Sequence, residues 1–330
     1  MIKKTRYKLT FLFILFALAV ISIFISVRIG TIQFSFKEVI KGIFIADNSV
    51  ERLIIFNTRL PRIIIGGFVG ICLSLSGCIL QGVMRNNLAS PSTIGVTSGA
   101  SFVGYIVLVA FPALSYLLPI GSILGAFITT LLIYLLAYQK GVSPVKMILA
   151  GMAVSALFGA FNDIIKTFWA DSLGNASGFL VGGLNGVTWS KIYLILPYAV
   201  IGIVFCIFLP QKMNILMLGD ETANSLGLHT EIFRFILIVV SSLLAGSAIA
   251  VAGLISFVGL IVPHIARQIV GSDYKYLFPV SAVLGFVLVI LCDTIGRVIM
   301  PSGEVPVSII ISFIGAPFFL LLLRYRKKEA

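Results

Sequence analysis

The sequence predicts an all-α, polytopic membrane protein of about ten transmembrane helices with both termini in the cytoplasm. Composition is the first reason: of 330 residues, 59% are hydrophobic and 11% charged, with a mean hydropathy of +1.12. An ordinary soluble domain carries roughly 25% charged residues, so a soluble globular enzyme is excluded. Patterning is the second: charge-free runs cover 9–27, 63–84, 88–139, 192–211, 235–266 and 305–323. A bilayer core takes about 20 apolar residues per helix, so 88–139 and 235–266 must each hold two crossings joined by a tight polar or Gly-rich turn. Lipid offers no partner to a free backbone group, which makes these segments helices, and the weaker ten-residue alternation of a membrane β-barrel is absent. The third reason is charge asymmetry. If the chain crosses ten times, fifteen of its 24 Lys and Arg residues collect on the face shared by the termini. The other nine, Arg28, Lys37, Lys41, Arg52, Arg59, Arg62, Lys166, Lys191 and Arg297, stay opposite. The positive-inside rule then sets both termini in the cytoplasm. The net charge of +12 is thus a topology signal and gives no support to nucleic-acid binding.

The first segment, 9–28, follows a basic Met1-Ile-Lys-Lys-Thr-Arg-Tyr-Lys start. Its apolar stretch is longer than a signal-peptide core of about 7 to 15 residues and ends without a small-x-small cleavage pattern, so it is expected to stay as an anchor. The next loop is itself basic and is a candidate for docking another protein. The second segment, 61–83, carries Gly66, Gly67, Gly70, Ser74 and Gly77, the small-residue spacing that lets helix backbones approach closely. Gln81–Ala100 is too polar and Gly-rich for a plain span and is expected to form a cytoplasmic turn with a broken re-entry, either beside a pathway or as a structural turn. Segments 93–111, 118–138, 146–166 and 191–209 follow.

Between the sixth and seventh segments, residues 210–230 form the longest cytoplasmic loop. Asp220 and Glu221 sit where they would cap a short helix and favour its positive N-terminal end, and Gly227 where it would end one. The seventh to tenth segments are 231–250, 255–268, 276–296 and 305–323, with Gly246, Ala250 and Gly253 again at small-residue spacing. Asp293 and Arg297 are four apart, an i, i+4 pair that offsets the cost of ionisable groups at membrane depth, about 2.5 to 3.5 kcal/mol each. Asp163 is the only other acid well inside a segment, which weighs against a proton-coupled carrier. Cys72, Cys78, Cys206 and Cys292 lie in apolar runs without metal or disulfide spacing. His229 and His264 lack partner ligands, so no metal site and no bound cofactor are expected. No GxxxxGK[ST] phosphate loop occurs, and no catalytic constellation suggests a membrane enzyme.

Several motifs in order resemble the FecCD family of permease subunits from binding-protein-dependent ABC importers for iron-siderophores, haem and cobalamin. They are Arg59-Leu-Pro-Arg62, Ser76-Gly-Cys-Ile-Leu-Gln-Gly82, Asn86-Asn-Leu-Ala-Ser-Pro91, Gly95-Val-Thr-Ser-Gly-Ala100, Leu149-Ala-Gly151 and Leu218-Gly-Asp-Glu-Thr-Ala-Asn-Ser-Leu-Gly227. Phe257-Val-Gly-Leu-Ile-Val-Pro-His-Ile-Ala-Arg267, Asp293 with Arg297, Glu304-Val-Pro306 and Gly315-Ala-Pro-Phe-Phe319 complete the set. Asn87 stands where the family usually has Pro, and Ser256 and Ser308 where it usually has Gly.

The resemblance implies one transmembrane permease domain over 1–330, set in the bacterial plasma (inner) membrane. It also implies a second permease copy or paralogue, an extracytoplasmic substrate-binding protein, and two cytoplasmic ATPase subunits that hold ATP and Mg. Leu218, Gly219, Asp220, Glu221, Ala223, Leu226 and Gly227 would form the coupling helix that enters the ATPase. Arg59, Arg62 and Arg297 would pair with acids of the binding protein, so that Arg297→Glu weakens docking while leaving insertion intact. Ser143, Pro144 and Val145 would form the cytoplasmic gate. Met152, Ser155, Gly159 and Asn162, which share a helical stripe, and Ser308 with Ser312 would line the pathway, small-residue helix packing being the alternative. The expected activity is ATP-driven import of an iron-siderophore or related metal chelate by alternating access, with a haem or cobalamin ABC importer permease as the alternative and, from a different class, an ion-coupled secondary transporter.

Overall fold

A computed structural model describes residues 2–30, 32–45, 49–138, 144–173, 179, 181–300 and 303–326. The described residues are predominantly helical. In chain order, α1 is Ile2–Arg28, α2 Phe36–Phe44, α3 Val50–Ile54, α4 Leu60–Val83, α5 Val96–Ala110, α6 Leu118–Ala137, α7 Pro144–Phe168 and α8 Ala170–Leu173. There follow α9 Trp189–Phe208, α10 Pro210–Leu216, α11 Asp220–Ser225, α12 Thr230–Ala252, α13 Val258–Val270, α14 Tyr274–Val298 and α15 Val307–Arg326. Seven described helices are long and apolar enough to cross a membrane, and Val96–Ala110, Val258–Val270 and Val307–Leu321 are shorter apolar helices. Each segment expected from hydropathy therefore carries one apolar helix, its ends shifted by a few residues.

Hydropathy does not reveal the two small helices of the outer loop. α2 starts on a reciprocal cap, Ser35 N donating to Glu38 Oε2 at 2.6 Å and Glu38 N to Ser35 Oγ at 3.4 Å, which satisfies two otherwise free donors. α3 runs through a π-helical turn, Ile55–Arg59, directly into α4. Pro61, which has no N–H to offer the preceding turn, follows directly on this π-helical turn, where the α-helical bonding pattern is already interrupted.

α4 is the axis of the bundle: α14, α12, α13 and α9 all pack on it, and 83% of its apolar stretch is buried. The small residues make this possible. A Cβ placed on Gly77 would lie 1.9 Å from the Gly259 carbonyl oxygen of α13, and one on Gly70 would lie 2.1 Å from the Gly285 carbonyl oxygen of α14. No side chain fits between these backbones, so helix contact rests on direct van der Waals packing. α7 and α15 behave in the opposite way. α7 packs only on α5, α6 and α8 among the main helix contacts, with 17% of its apolar stretch buried, and α15 leans on α14 and α13. Both present long apolar faces outward, including Leu149, Met152, Leu157 and Phe161 on α7 and Phe313 and Leu320 on α15.

Gly77→Ala should lower the detergent-solubilised melting temperature, because overpacking of a tight contact costs about 1–3 kcal/mol. Gly159→Ala on α7, whose new methyl meets nothing within 4 Å, should leave it unchanged or raise it through better helix propensity. Equal melting temperatures for the two variants would contradict this assignment of core and open face.

Candidate functional site

Three regions contain the residues singled out from the sequence. The first is a charge cluster where the outer ends of α1, α4 and α14 meet. Arg62 clasps Asp293 in a fork, Nε donating to Oδ2 at 2.9 Å and Nη2 to Oδ1 at 2.8 Å, while Nη1 donates to Glu304 Oε2 at 2.6 Å. Arg297 Nη2 donates to Ser26 Oγ at 2.6 Å and to the Ser26 carbonyl at 3.0 Å. Its Nε stands 3.3 Å from Asp293 Oδ2, within ion-pairing range though not aimed as a hydrogen bond. Arg59 donates to the carbonyls of Val27, Arg28 and Ile32 and lies over the Phe34 ring. It thus covers the last carbonyls of α1, where a helix carries partial negative charge.

This corrects the reading of Arg59, Arg62 and Arg297 as an exposed dock. They are 4%, 6% and 4% exposed, and the hydrogen bonds and ion pairs they make run inside the chain. A charge at this depth has to be neutralised by the protein itself, and that requirement removes it from the surface. The i, i+4 pairing of Asp293 with Arg297 is present, but the closer partner of Asp293 is Arg62. That pairing leaves no local sequence signal, because 231 residues separate the two.

The second region is a groove of about 590 Å³ lined by Val181, Leu254, Ser256, Ser308, Ser312 and Phe313, among others. Irregular backbone from several parts of the chain converges here. Gly253 and Phe257 take positive φ values of 67° and 66° between α12 and α13, and Gly182 takes 81°. Ser308 N donates to the Gly182 carbonyl at 3.2 Å, and Ser308 Oγ donates to the Val181 carbonyl at 2.5 Å. Such backbone is tolerated at membrane depth where protein or a cavity surrounds it. Ser308 and Ser312 therefore sit on the groove wall. The α7 stripe divides: Met152 is exposed and Gly159 faces open space, whereas Ser155 Oγ is buried beside Gly95 and Asn162 is buried, donating to the Ser98 carbonyl at 3.3 Å. Asn162 is a helix-packing residue rather than part of an open wall. Ser143 lies outside the described residues; Pro144 opens α7, and Val145 is exposed at its start.

The third region is the loop between α9 and α12, residues 210–230, which holds α10 and α11. α11 begins with Asp220 and Glu221 in its first turn, but its N-cap is Gly219 and no side chain caps it. The acids are not caps. Asp220 instead bonds Arg85, and accepts from Arg234 Nη2 at 2.7 Å. Arg234 is buried and also donates to Glu231 Oε1 at 3.1 Å, while the Tyr134 hydroxyl donates to Glu231 Oε2 at 2.5 Å. Arg85 makes this link from a left-handed backbone, φ 47°, at the end of α4, an outlier of the kind that persists only where surroundings hold it. At the other end Gly227, φ 83°, completes a Schellman stop: Leu228 N donates to the Ala223 carbonyl at 3.0 Å and Gly227 N to the Asn224 carbonyl at 2.9 Å. The loop buries Ala223 and projects Leu218, 61% exposed, and Leu226, 59% exposed. The sequence flagged this loop; it did not flag Arg85, Arg234 or Tyr134, whose only hint was an ionisable group flanking an apolar run.

The sequence profile of the FecCD transport family matches residues 18–325. The chain belongs to the FecCD transport family. It is similar to the Fe(3+)-citrate import system permease protein YfmE of Bacillus subtilis, 38% identical over 329 residues, covering 99% of this chain and 98% of that one. It is 36% identical over 330 residues to the iron(3+)-hydroxamate import system permease protein FhuG of the same organism, covering 97% and 98%. It is 37% identical over 281 residues to the cobalamin import system permease protein BtuC of Halobacterium salinarum, covering 84% and 75%. A solved metal-chelate type ABC transporter in an inward-facing conformation superposes with a TM-score of 0.84 at 32% identity, covering 96% of this chain and 99% of that one. The family is one of multi-pass permease subunits of ABC importers whose ATPase is a separate subunit, and this chain is such a permease.

Because Arg297 is buried against Asp293, Arg297→Glu is expected to act on folding. Uncoupling a buried ion pair costs about 3–5 kcal/mol, so monodisperse protein recovered from membranes should fall severalfold. Normal yield with reduced transport would restore the docking role.

Proposed function

We propose that this chain imports a ferric chelate of the siderophore or citrate class across the plasma membrane by ATP-driven alternating access. It crosses the membrane ten times with both termini in the cytoplasm, as its basic asymmetry supports, and works beside a second permease copy or paralogue. An extracytoplasmic binding protein delivers the chelate. Two ATPase subunits bind ATP and Mg on the cytoplasmic side. The observation that carries the transport reading is the Ser308–Ser312 groove along α15, together with the broad apolar faces that α15 and α7 each leave uncovered. Two such faces set against one another enclose a pathway whose polar contacts are few and weak, suited to passing a bulky ligand. Met152, Gly159, Ser308 and Ser312 line it, Ser155 and Asn162 brace α7 behind it, and Ser143, Pro144 and Val145 close its cytoplasmic end.

Residues 210–230 are the coupling loop. Leu218 and Leu226 enter the ATPase surface with Glu221 beside them, and Asp220 transmits the movement to α4 and α12 through Arg85 and Arg234. The ferric-chelate class is supported by the citrate and hydroxamate permeases among the relatives; the cobalamin permease supports the runner-up substrate. An ion-coupled carrier fits less well, since Asp293, the acid fully buried among the described residues, is committed to Arg62.

A strain lacking this chain should lose accumulation of radiolabelled iron supplied as citrate or a siderophore, and regain it on complementation. Intact iron uptake with lost cobalamin uptake would move the substrate to the runner-up class. Leu226→Asp should leave folding unchanged, because the side chain is exposed, yet weaken ATPase co-purification. An interface hot spot is worth about 2 kcal/mol or more, or roughly thirtyfold in affinity. Undiminished co-purification would remove Leu226 from the coupling surface.

A further inference from the structure

The outer segment between α1 and α4 carries a surface that the transport mechanism does not use. Its cap at Ser35 makes α2 a helix in its own right rather than a continuation of α1. At about 100° per residue, Phe36, Ile40 and Phe44 fall within an arc of about 80°, and Lys37 and Lys41 follow along its next edge. The apolar stripe faces away from the protein: Phe36 is 62% exposed, Ile40 45% and Phe44 79%. The opposite side is the packed one. Val39 is buried, and a Cβ on Gly42 would lie 2.9 Å from Ile55 Cδ1 and 3.2 Å from the Glu51 carbonyl oxygen.

The stripe also continues a surface already committed to lipid. The Phe36 ring lies 6.5 Å from that of Phe24, near the outer end of α1. α1 is a peripheral apolar helix, 28% of its span buried, and its exposed side carries Phe13, Phe16, Ile21 and Phe24. Beyond Phe44 the exposed Val50 and Leu53 of α3 extend the same character. A separate short helix with an outward apolar stripe, a lysine edge and continuity with a lipid-facing span has the form of an interfacial helix.

We propose that α2 lies in the interface of the outer leaflet, with Phe36, Ile40 and Phe44 among the upper acyl chains and Lys37 and Lys41 at the level of the lipid phosphates. The occupant of this face is the lipid surface. The binding protein docks elsewhere on the outer face. Since α2 packs on α3 and on Ile55 of the π-helical turn that carries Arg59, its depth sets the height at which α4 enters the bundle. The inference rests on membrane embedding alone and is independent of which substrate is carried.

The four native cysteines are buried, so single surface cysteines can be labelled selectively. Phe44→Cys, Ile40→Cys and, as a lipid-facing reference, Phe24→Cys would each carry an environment-sensitive nitrobenzoxadiazole probe in the full chain. The protein would be reconstituted in vesicles of phosphatidylethanolamine and phosphatidylglycerol, with the unlabelled parent as background. Lipid bearing a nitroxide at acyl carbon 5 should quench the probes at 40 and 44 to within about twofold of the probe at 24, and aqueous iodide should quench them weakly. Strong iodide quenching without nitroxide quenching would overturn the proposal. Shielding from both quenchers would overturn it equally, by showing that protein covers the stripe.

Discussion

The fork between Arg62 and Asp293 is the contact on which the outer half of the molecule depends. It joins α4 to α14 at a depth where neither ion has water to turn to, and it gathers further partners around itself. Arg297 reaches from the same carboxylate to the last turn of α1, Glu304 closes over Arg62 from the irregular segment before α15, and Arg59 bonds the last carbonyls of α1. Removing a charge from water costs several kcal/mol even after relaxation, so each of these groups stays only because the others are in place. Three arginines against two carboxylates leave an excess of positive charge, which the C-terminal carbonyls of α1 partly offset. The cluster is a fastener, and its positive character is turned inward.

Around that fastener the chain is strongly asymmetric. α4 is surrounded because its glycines let α13 and α14 come to backbone contact, while α7 and α15 are left with broad apolar faces uncovered. The two kinds of surface have different chemistry. The contacts of α4 are fixed by shape and would tolerate no movement. The groove beside α15 is bounded by irregular backbone at Gly182, Gly253 and Phe257 and by serine hydroxyls, and its own glycines are closely packed, a Cβ on Gly182 lying 2.1 Å from the Leu254 carbonyl oxygen. Rigidity in the centre and freedom at the uncovered faces are what a subunit needs if it is to rearrange against a partner without unfolding.

The loop at 210–230 follows the same division of labour. Its ends are fixed, by the left-handed Gly227 on one side and by Asp220 between Arg85 and Arg234 on the other, and its leucines are free. Arg85, Arg234, Glu231 and Tyr134 extend the connection to the inner ends of α4, α12 and α6. The loop is thereby tied to three helices at once through bonds shorter and stronger than ordinary van der Waals contact.

The sequence by itself determined the class of the protein, the positions of its apolar helices, the long polar loop at 210–230 and the family. These follow from local quantities: the free energy of placing a backbone in lipid depends on the twenty or so residues of one segment, and a loop motif is contiguous. The serines at 308 and 312 stand out through the family resemblance and their helical spacing, which is again a local property. What only the tertiary structure decided is the fate of the charges and of individual faces. Arg59, Arg62 and Arg297 looked like surface residues because a sequence shows a charge near a loop but not the carboxylate or carbonyl that will cover it. Asn162 looked like pathway because helical spacing shows which residues share a face but not which neighbour that face meets. Both depend on partners far away in the chain, and only folding brings them within the few ångströms over which a desolvated charge or amide must find its complement.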